Sequence, residues 1–232
     1  MKHISRALLV LSLLAALIFT ALPAAAFDGL ASDFAFSKLQ RKLLDNRTTS
    51  SQSLDTADAL AVVQFTSDPA RTQANLQSFI DSTPDPQAKE GLKQLVQAQP
   101  TIIQDIGNAL RARYGLNPHD LSDVFATWWI SAWQITHGVN DNPSVATAQA
   151  VSEQVHAAFL DTSDFENLSE AQRQQIAEAL LLQALLMSET ASANRNNPAA
   201  QTAIAQGVAR SALQNGIDLS LFTLTQDGFV PK

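Results

Sequence analysis

Three histidines follow residue 26 of the sequence, and histidine is the side chain best suited to proton transfer or metal binding near neutral pH. His119 and Asp123 stand four positions apart, a spacing that lets two side chains of one helix share a metal ion. The simpler interpretation, which we adopt, is that Asp123 is a first-turn carboxylate stabilised by the positive end of the helix dipole.

The other two histidines, His156 and His137, are weaker candidates for metal binding or catalysis. Glu153 and His156 form half of the pattern that binds two metal ions in helical bundles, but the sequence has no second Glu-x-x-His. We therefore interpret this pair as part of a solvated helix face. His137 precedes Gly138 at a predicted helix end, where an imidazole interacts favourably with the last carbonyl groups.

Common catalytic motifs are missing from the sequence, including the Gly-x-Ser-x-Gly elbow, the phosphate-binding loops and His-Glu-x-x-His. We predict no cofactor and no metal, and we assign no catalytic residue. The most direct interpretation is a non-catalytic binding or interaction module. The alternative is a hydrolase-like enzyme whose acidic residues and histidines converge only in the folded chain.

The three tryptophans lie within one predicted helix, at positions 128, 129 and 133. Adjacent residues point about 100° apart on a helix, so the three indoles cannot all face one neighbouring helix. We expect them to pack in the core. If Trp129 or Trp133 is exposed instead, it forms with His137 a candidate interaction surface for a protein partner or a small apolar ligand.

Apolar residues recur at intervals of three and four along most of the sequence, which predicts an all-α fold. We expect a single bundle of about six to eight helices with a short extended C-terminal tail. The helices 119–137 and 170–193 are apolar nearly all round, which places them at the centre of the bundle. The predicted helices span 68–81, 86–98, 100–114, 119–137, 143–160, 170–193 and 198–214.

Local signals mark where these helices begin. Asn-Pro pairs at 117–118, 142–143 and 197–198, and Asp-Pro pairs at 68–69 and 85–86, predict an N-cap followed by proline in the first turn. In the helix 170–193, the residues at 169 and 172 have the spacing of a capping box.

Other signals mark where helices end. Gly115, Gly138 and Gly216 each follow a helical run, where a left-handed residue is usual. Beyond Gly216, the β-branched and aromatic residues and the turn signal Asp227-Gly228 predict an extended tail or tight turn packed against the bundle.

The N-terminal residues have the pattern of a secretory signal peptide. A basic region is followed by an apolar run at 7–22 and by small residues that predict cleavage after Ala26. The run is shorter than the ~20 residues of a membrane-spanning helix, and we judge no later stretch apolar enough to anchor the chain. We expect residues 27–64 to form a leader with a short helix and a Ser/Thr-rich linker, followed by the domain at 65–232.

Charge and composition exclude several classes of function. The chain has a net charge of −7, and removing residues 1–26 leaves 13 basic and 22 acidic residues, a net charge of −9. This balance argues against nucleic acid or an anionic membrane as the main partner. The absence of cysteine excludes thiolate metal sites and a cysteine nucleophile. One basic segment, with Lys38, Arg41, Lys42 and Arg47, is expected to dock onto the acidic body rather than onto a membrane.

Three segments of the sequence resemble a family of exported bacterial proteins known only as a domain of unknown function. They are FTSDPARTQANLQSFI from Phe65, YGLNPHDLSDVFATWWISAWQITHG from Tyr114, and GIDLSLFTLTQDGFVP from Gly216. The resemblance covers residues 65–231. It implies a bacterial source, a periplasmic or extracellular location and a variable leader at 27–64, and it implies no activity.

Overall fold

The structure is a computed structural model that describes residues 40, 41, 44, 62–161 and 163–232. The predicted signal peptide and most of the predicted leader lie outside the described residues. The described part contains seven helices of 13 residues or more, a four-residue helix, a 3-10 turn at Leu219–Leu221 and a β-hairpin, which confirms the predicted all-α fold with an extended tail. The helices are α1 (Pro69–Ser82), α2 (Pro86–Ala98), α3 (Ile102–Tyr114), α4 (Leu121–His137), α5 (Val145–Leu160), α6 (Ser163–Glu166), α7 (Glu170–Ala193) and α8 (Pro198–Gln214).

Side-chain caps explain where most of these helices begin. Asp68, Asp85 and Asn197 accept hydrogen bonds from backbone N–H groups in the first turns of α1, α2 and α8, and each precedes a proline. The predicted capping box of α7 is also present, with reciprocal bonds between Ser169 and Gln172.

The predicted caps at Asn117 and Asn142 are wrong. The N-cap of α4 is Asp120 and that of α5 is Ser144, so both helices begin a few residues later than expected. The side chain of Asn117 instead accepts a hydrogen bond from the N–H of His119 and closes a turn before α4. Asp120 takes the cap because its carboxylate accepts from the N–H groups of residues 122 and 123.

Glycines end three helices in the left-handed conformation, as predicted. The φ angle is 69° at Gly115, 64° at Gly138 and 79° at Gly216. A side chain is strained at such angles because its Cβ approaches the backbone, so glycine is the residue that can continue the chain there.

α4 and α7 form the centre of the bundle and make the most extensive helix pair, as predicted. α5 and α8 also pack against α4, whereas α1 and α3 pack against the opposite side of α7. This division produces two apolar cores. The larger core surrounds α4, and the smaller one lies between α1, α2, α3 and one face of α7.

The expectation that no stretch after the predicted signal peptide is apolar enough to span a membrane is wrong for α7. Among the described residues it is long and apolar enough to cross a membrane, judged by length and composition alone. In the fold, 67 % of its most apolar stretch is buried inside the bundle. Its burial among other helices explains its apolar composition, as expected for the central helix of a globular core.

The tail forms an antiparallel hairpin of β1 (Phe222–Thr225) and β2 (Gly228–Pro231). The N–H of Lys232 donates to the carbonyl of Leu221, so these two residues form a hydrogen-bonded pair. Because hydrogen-bonded and non-hydrogen-bonded pairs alternate along an antiparallel ladder, Phe222–Pro231 and Leu224–Phe229 are non-hydrogen-bonded pairs. The backbone groups of Phe229 therefore point out of the hairpin. The Gln154 amide of α5 satisfies both of them, donating to the carbonyl of Phe229 and accepting from its N–H.

The chain before α1 also belongs to the packed structure. Val63 and Phe65 are buried in the larger core, although Val63 falls within the predicted leader. The N–H of Phe65 donates to the carbonyl of His119 at 3.1 Å. Farther upstream, Leu44 packs on the same core and Gln40 accepts a hydrogen bond from the N–H of Asp218. Neither contact involves a charged side chain, and three of the four cations of the basic segment lie outside the described residues, so its predicted docking onto the acidic body stays a prediction.

Candidate functional site

The predicted interaction surface of Trp129, Trp133 and His137 lies mostly inside the protein. Trp129 is fully buried and Trp133 is 8 % exposed, in agreement with the expected core packing of the indoles. The indole N–H of Trp133 donates to the carbonyl of Phe222 at 3.0 Å. His137 is half-buried, and its ring stacks on Trp133 with 4.3 Å between centroids.

Hydrogen bonds of His137 agree with the structural role expected at a helix end. Its Nδ1 lies 2.9 Å from the carbonyl of Trp133, one turn back in α4. Its Nε2 lies 3.4 Å from the ammonium of Lys232. The imidazole therefore links the last turn of α4 to the end of the hairpin.

Trp128 and Trp129 differ in their polar contacts. Trp128 donates its indole N–H to the side-chain oxygen of Gln183 in α7 at 3.1 Å. The N–H of Trp129 has no hydrogen-bond partner in the described part of the chain, and its ring stands edge-on to Phe222 at 5.3 Å and stacks on Phe229 at 4.9 Å. Packing rather than hydrogen bonding thus holds Trp129 in place.

In the structure, the side chains of His119 and Asp123 contact different partners. Asp123 accepts hydrogen bonds from the Ser152 hydroxyl of α5 and from the Asn117 N–H. His119 packs against the ring of Phe65, with 5.7 Å between the ring centroids. The described residues contain no group of three or more histidine and acidic side chains placed to hold a metal ion.

A polar cluster between α4 and α5 brings together residues that the sequence analysis treated separately. Ser122 Oγ lies 3.3 Å from His156 Nδ1, and Asp123 is bonded to Ser152. Burial raises the pKa of the Asp123 carboxyl, against the opposing effect of its two hydrogen-bond donors. Ser122 is only 1 % exposed, so its hydroxyl is a poor position for attack on a substrate.

A solvent-accessible groove of about 450 Å³ lies on the other side of α7, between α1, α3 and the turn before α4. Apolar side chains from several segments line it. Two of these side chains, Phe65 and Leu181, are 7 % and 2 % exposed and form part of its floor. The apolar lining comprises Phe65, Pro69, Leu76, Pro100, Ile103, Pro118 and Leu181.

Glu178 is the carboxylate of this groove, and its hydrogen bonds hold α1 against α7. It is 5 % exposed. Its oxygens accept from the Thr72 hydroxyl at 2.6 Å, the Asn75 amide at 2.7 Å and the Gln174 amide at 2.9 Å. A buried carboxylate is tolerated only when its oxygens are hydrogen-bonded in this way.

Arg111 and His119 occupy the exposed rim of the groove. Burial lowers the pKa of His119, and the positive charge of Arg111 lowers it further while Glu178 acts in the opposite direction. The imidazole is therefore neutral at pH 7. Arg111 has no ion pair within the described part of the chain, where the one salt bridge joins Arg71 and Asp68 at 3.8 Å.

Of the residues that line the groove, only His119 was a candidate from the sequence, and for another role. The lining residues come from segments as far apart as residues 65 and 181. One signal was present, because Glu178 is a charged residue within a long run of apolar residues in the predicted central helix 170–193. A lone acid on the buried face of a central helix indicates a polar network or a site.

The fold and this groove define the protein as an all-α domain with a cleft of about 450 Å³ beside its central helix. The chain belongs to the family of unknown function DUF6683, whose profile matches residues 37–231. The match begins inside the predicted leader 27–64. No curated protein and no solved structure shows significant similarity to the chain.

Proposed function

We propose that the protein is an exported component of the cell envelope that binds a small ligand in the groove without chemically transforming it. The observation that carries the proposal is the groove itself. Its volume of about 450 Å³ falls within the ~300–1,000 Å³ of small-molecule sites. Its floor is apolar, while nine of its seventeen lining residues are polar or charged, a larger polar share than most such sites have.

The positions of the three histidines favour binding over catalysis. His119 precedes α4 and His137 is the last residue of that helix, so the rise of an α-helix separates them by about 25 Å. His156 lies on α5 beside Ser122. Only His119 lines the groove, and the neighbouring carboxylate of Glu178 is engaged by three donors.

Export rests on the sequence of residues 1–26, with its basic start, apolar run and Ala-x-Ala ending. A periplasmic or extracellular location follows from cleavage at that point. The test is mass spectrometry of the protein recovered from the periplasm and medium of a bacterial host that expresses the full sequence. We expect a mature chain beginning at Phe27, and exported protein that retains residues 1–26 would contradict cleavage.

Binding in the groove is tested with N-phenyl-1-naphthylamine, a neutral apolar dye whose fluorescence rises when it leaves water. We expect saturable binding to the wild-type protein. Gln104→Phe places an aromatic ring at the groove wall and should weaken dye binding at least tenfold, because the ring occupies the space that the dye needs.

Gln206→Phe is the matched control. Gln206 is likewise an exposed glutamine, on α8, and it lies outside the groove lining. The same substitution there should leave dye affinity unchanged within about twofold, with both variants melting like the wild type. Equal dye binding by Gln104→Phe and wild type would show that the groove is not the binding site.

A further inference from the structure

The charges that line the groove are unevenly available to a ligand. Glu178 supplies the negative charge, but it is 5 % exposed and already accepts three hydrogen bonds. Arg111 supplies the positive charge, and it is exposed at the rim. The accessible face of the groove is therefore cationic, although the chain as a whole carries a net charge of −7.

The guanidinium of Arg111 is also free to bind. In the described part of the chain its side chain makes no salt bridge, whereas Arg71 pairs with Asp68. The neighbouring Arg113 lies over the ring of Tyr114, with 5.3 Å from its guanidinium carbon to the ring centroid. A guanidinium presents a planar fork of N–H donors that matches a carboxylate or a similar oxyanion.

We propose that the ligand of the groove is an amphipathic anion, with its oxyanion head bound by Arg111 and its apolar body lying over Phe65, Ile103 and Leu181. This inference rests on the proposed binding function and deepens it. The groove lining also includes the amides of Gln104 and Asn108, which can complete the hydrogen bonds of the head. A groove of this volume accommodates a small soluble molecule and not a membrane surface.

The neutral imidazole of His119 supports the same orientation. Its ring packs against Phe65, so it extends the apolar floor toward Arg111 and can donate one hydrogen bond. With His119 neutral at pH 7, Arg111 carries the fixed positive charge of the rim.

Two dyes that differ by a single sulfonate test the proposal. 8-Anilinonaphthalene-1-sulfonate is N-phenyl-1-naphthylamine with an added sulfonate, so their affinities isolate the contribution of the anionic head. We expect the wild-type protein to bind the sulfonate dye more tightly than the neutral one, and we expect added salt to weaken only the sulfonate dye.

Arg111→Gln should weaken binding of the sulfonate dye about five- to tenfold, since it removes a charge-assisted contact to a partly exposed anion. Affinity for the neutral dye should stay within about twofold, which also shows that the variant is folded. Arg113→Gln is the matched control, because it removes an equal charge two residues away from a side chain outside the groove. Decanoate should displace the sulfonate dye at lower concentration than decanol does.

Two other results have distinct meanings. If Gln104→Phe abolishes binding of both dyes but Arg111→Gln changes neither, the groove binds ligands and the anion proposal is wrong. An equal loss of sulfonate-dye affinity in Arg111→Gln and Arg113→Gln would also overturn it, because general electrostatic attraction would explain both. If Gln104→Phe affects neither dye, the proposed binding function itself fails.

Discussion

The two sides of the central helix pair are built from different kinds of residue. On α4, an aromatic cluster fills its space, with ring centroids 4.9–6.1 Å apart and every member buried. Beside α7, amide, hydroxyl and aliphatic side chains leave a groove of about 450 Å³. The aromatic cluster consists of Phe125, Trp128, Trp129, Trp133, Phe222 and Phe229.

This difference indicates that the aromatic residues of the cluster, which stand out most in the sequence, are structural. Two of the three segments that carry the family resemblance, those beginning at Tyr114 and Gly216, pack on each other through Trp133, Phe222 and Phe229. A large aromatic side chain contributes most when it is fully buried. A binding site needs unfilled space, and common small and polar residues provide it.

Trp128→Ala tests the structural side of this comparison and should have the largest effect. The substitution leaves a cavity in the core and removes the hydrogen bond to Gln183, so we expect a loss of about 3–5 kcal/mol in the free energy of unfolding. Chemical denaturation followed by circular dichroism measures it. Arg111→Gln on the groove side should change stability by less than about 0.5 kcal/mol. A loss below about 1 kcal/mol for Trp128→Ala would contradict the structural role of the aromatic cluster.

Gly107→Ala tests whether the groove wall is as tightly packed as the aromatic cluster. A Cβ at this position would lie 2.9 Å from the Cβ of Pro118, so α3 and the turn before α4 would have to separate. We expect a loss of about 1–3 kcal/mol, as for overpacking of a core, together with weaker dye binding. The exposed change Ala109→Ser on the same helix serves as control. An unchanged melting temperature for Gly107→Ala would mean that α3 and the turn before α4 can separate at little cost in stability.

Gln154→Ala tests the attachment of the hairpin to the bundle. The amide makes two hydrogen bonds with the backbone of Phe229, and their loss should cost about 1–2 kcal/mol. Amide hydrogen exchange at Phe229 should accelerate more than exchange within α7. Gln149→Ala, an exposed change on the same helix, should leave both measurements near wild type. Unaltered exchange at Phe229 would show that aromatic packing alone holds the hairpin.

Asp123→Asn is diagnostic through the pH dependence of stability, because the amide also loses one of the two hydrogen bonds that the carboxylate accepts, and this loss is the same at every pH. The folded-state pKa of Asp123 is raised above its usual 3.8, so the folded protein holds the proton more tightly than the unfolded chain does. Asp123 therefore adds stability as the pH falls toward 4 and loses that contribution as the pH rises through its folded pKa. Relative to Asp123→Asn, the free energy of unfolding of the wild type should increase as the pH is lowered from 7 to 4, as measured by chemical denaturation at each pH. A constant difference would contradict the raised pKa.

The sequence by itself determined the helices and most of their ends. Periodic apolar residues, the Asp-Pro and Asn-Pro caps at α1, α2 and α8, and the left-handed glycines are local signals that act over one or two turns. The first turns of α4 and α5 were placed too early because two residues of each region can cap a helix. The competition between Asn117 and Asp120 depends on the contacts of Asp123 and its neighbours.

The apolar composition of α4 and α7 also predicted that they form the centre, because a helix that is apolar nearly all round must be covered on several sides. Burial of the three tryptophans followed from the same reasoning. The sequence did not indicate what each indole contacts. The bonds from Trp128 to Gln183 and from Trp133 to Phe222 join residues 55 and 89 positions apart.

Only the tertiary structure decided where the groove lies and which charges it exposes. Its walls come from α1, α3, α7 and the turn before α4, and no local pattern records the gap that remains when these elements pack. Arg111 and Glu178 have opposite charges in the sequence, but packing buries the carboxylate under three donors and leaves the guanidinium at the rim. Burial and hydrogen bonding determine whether a charge is available to a ligand, and both depend on residues that are distant along the chain.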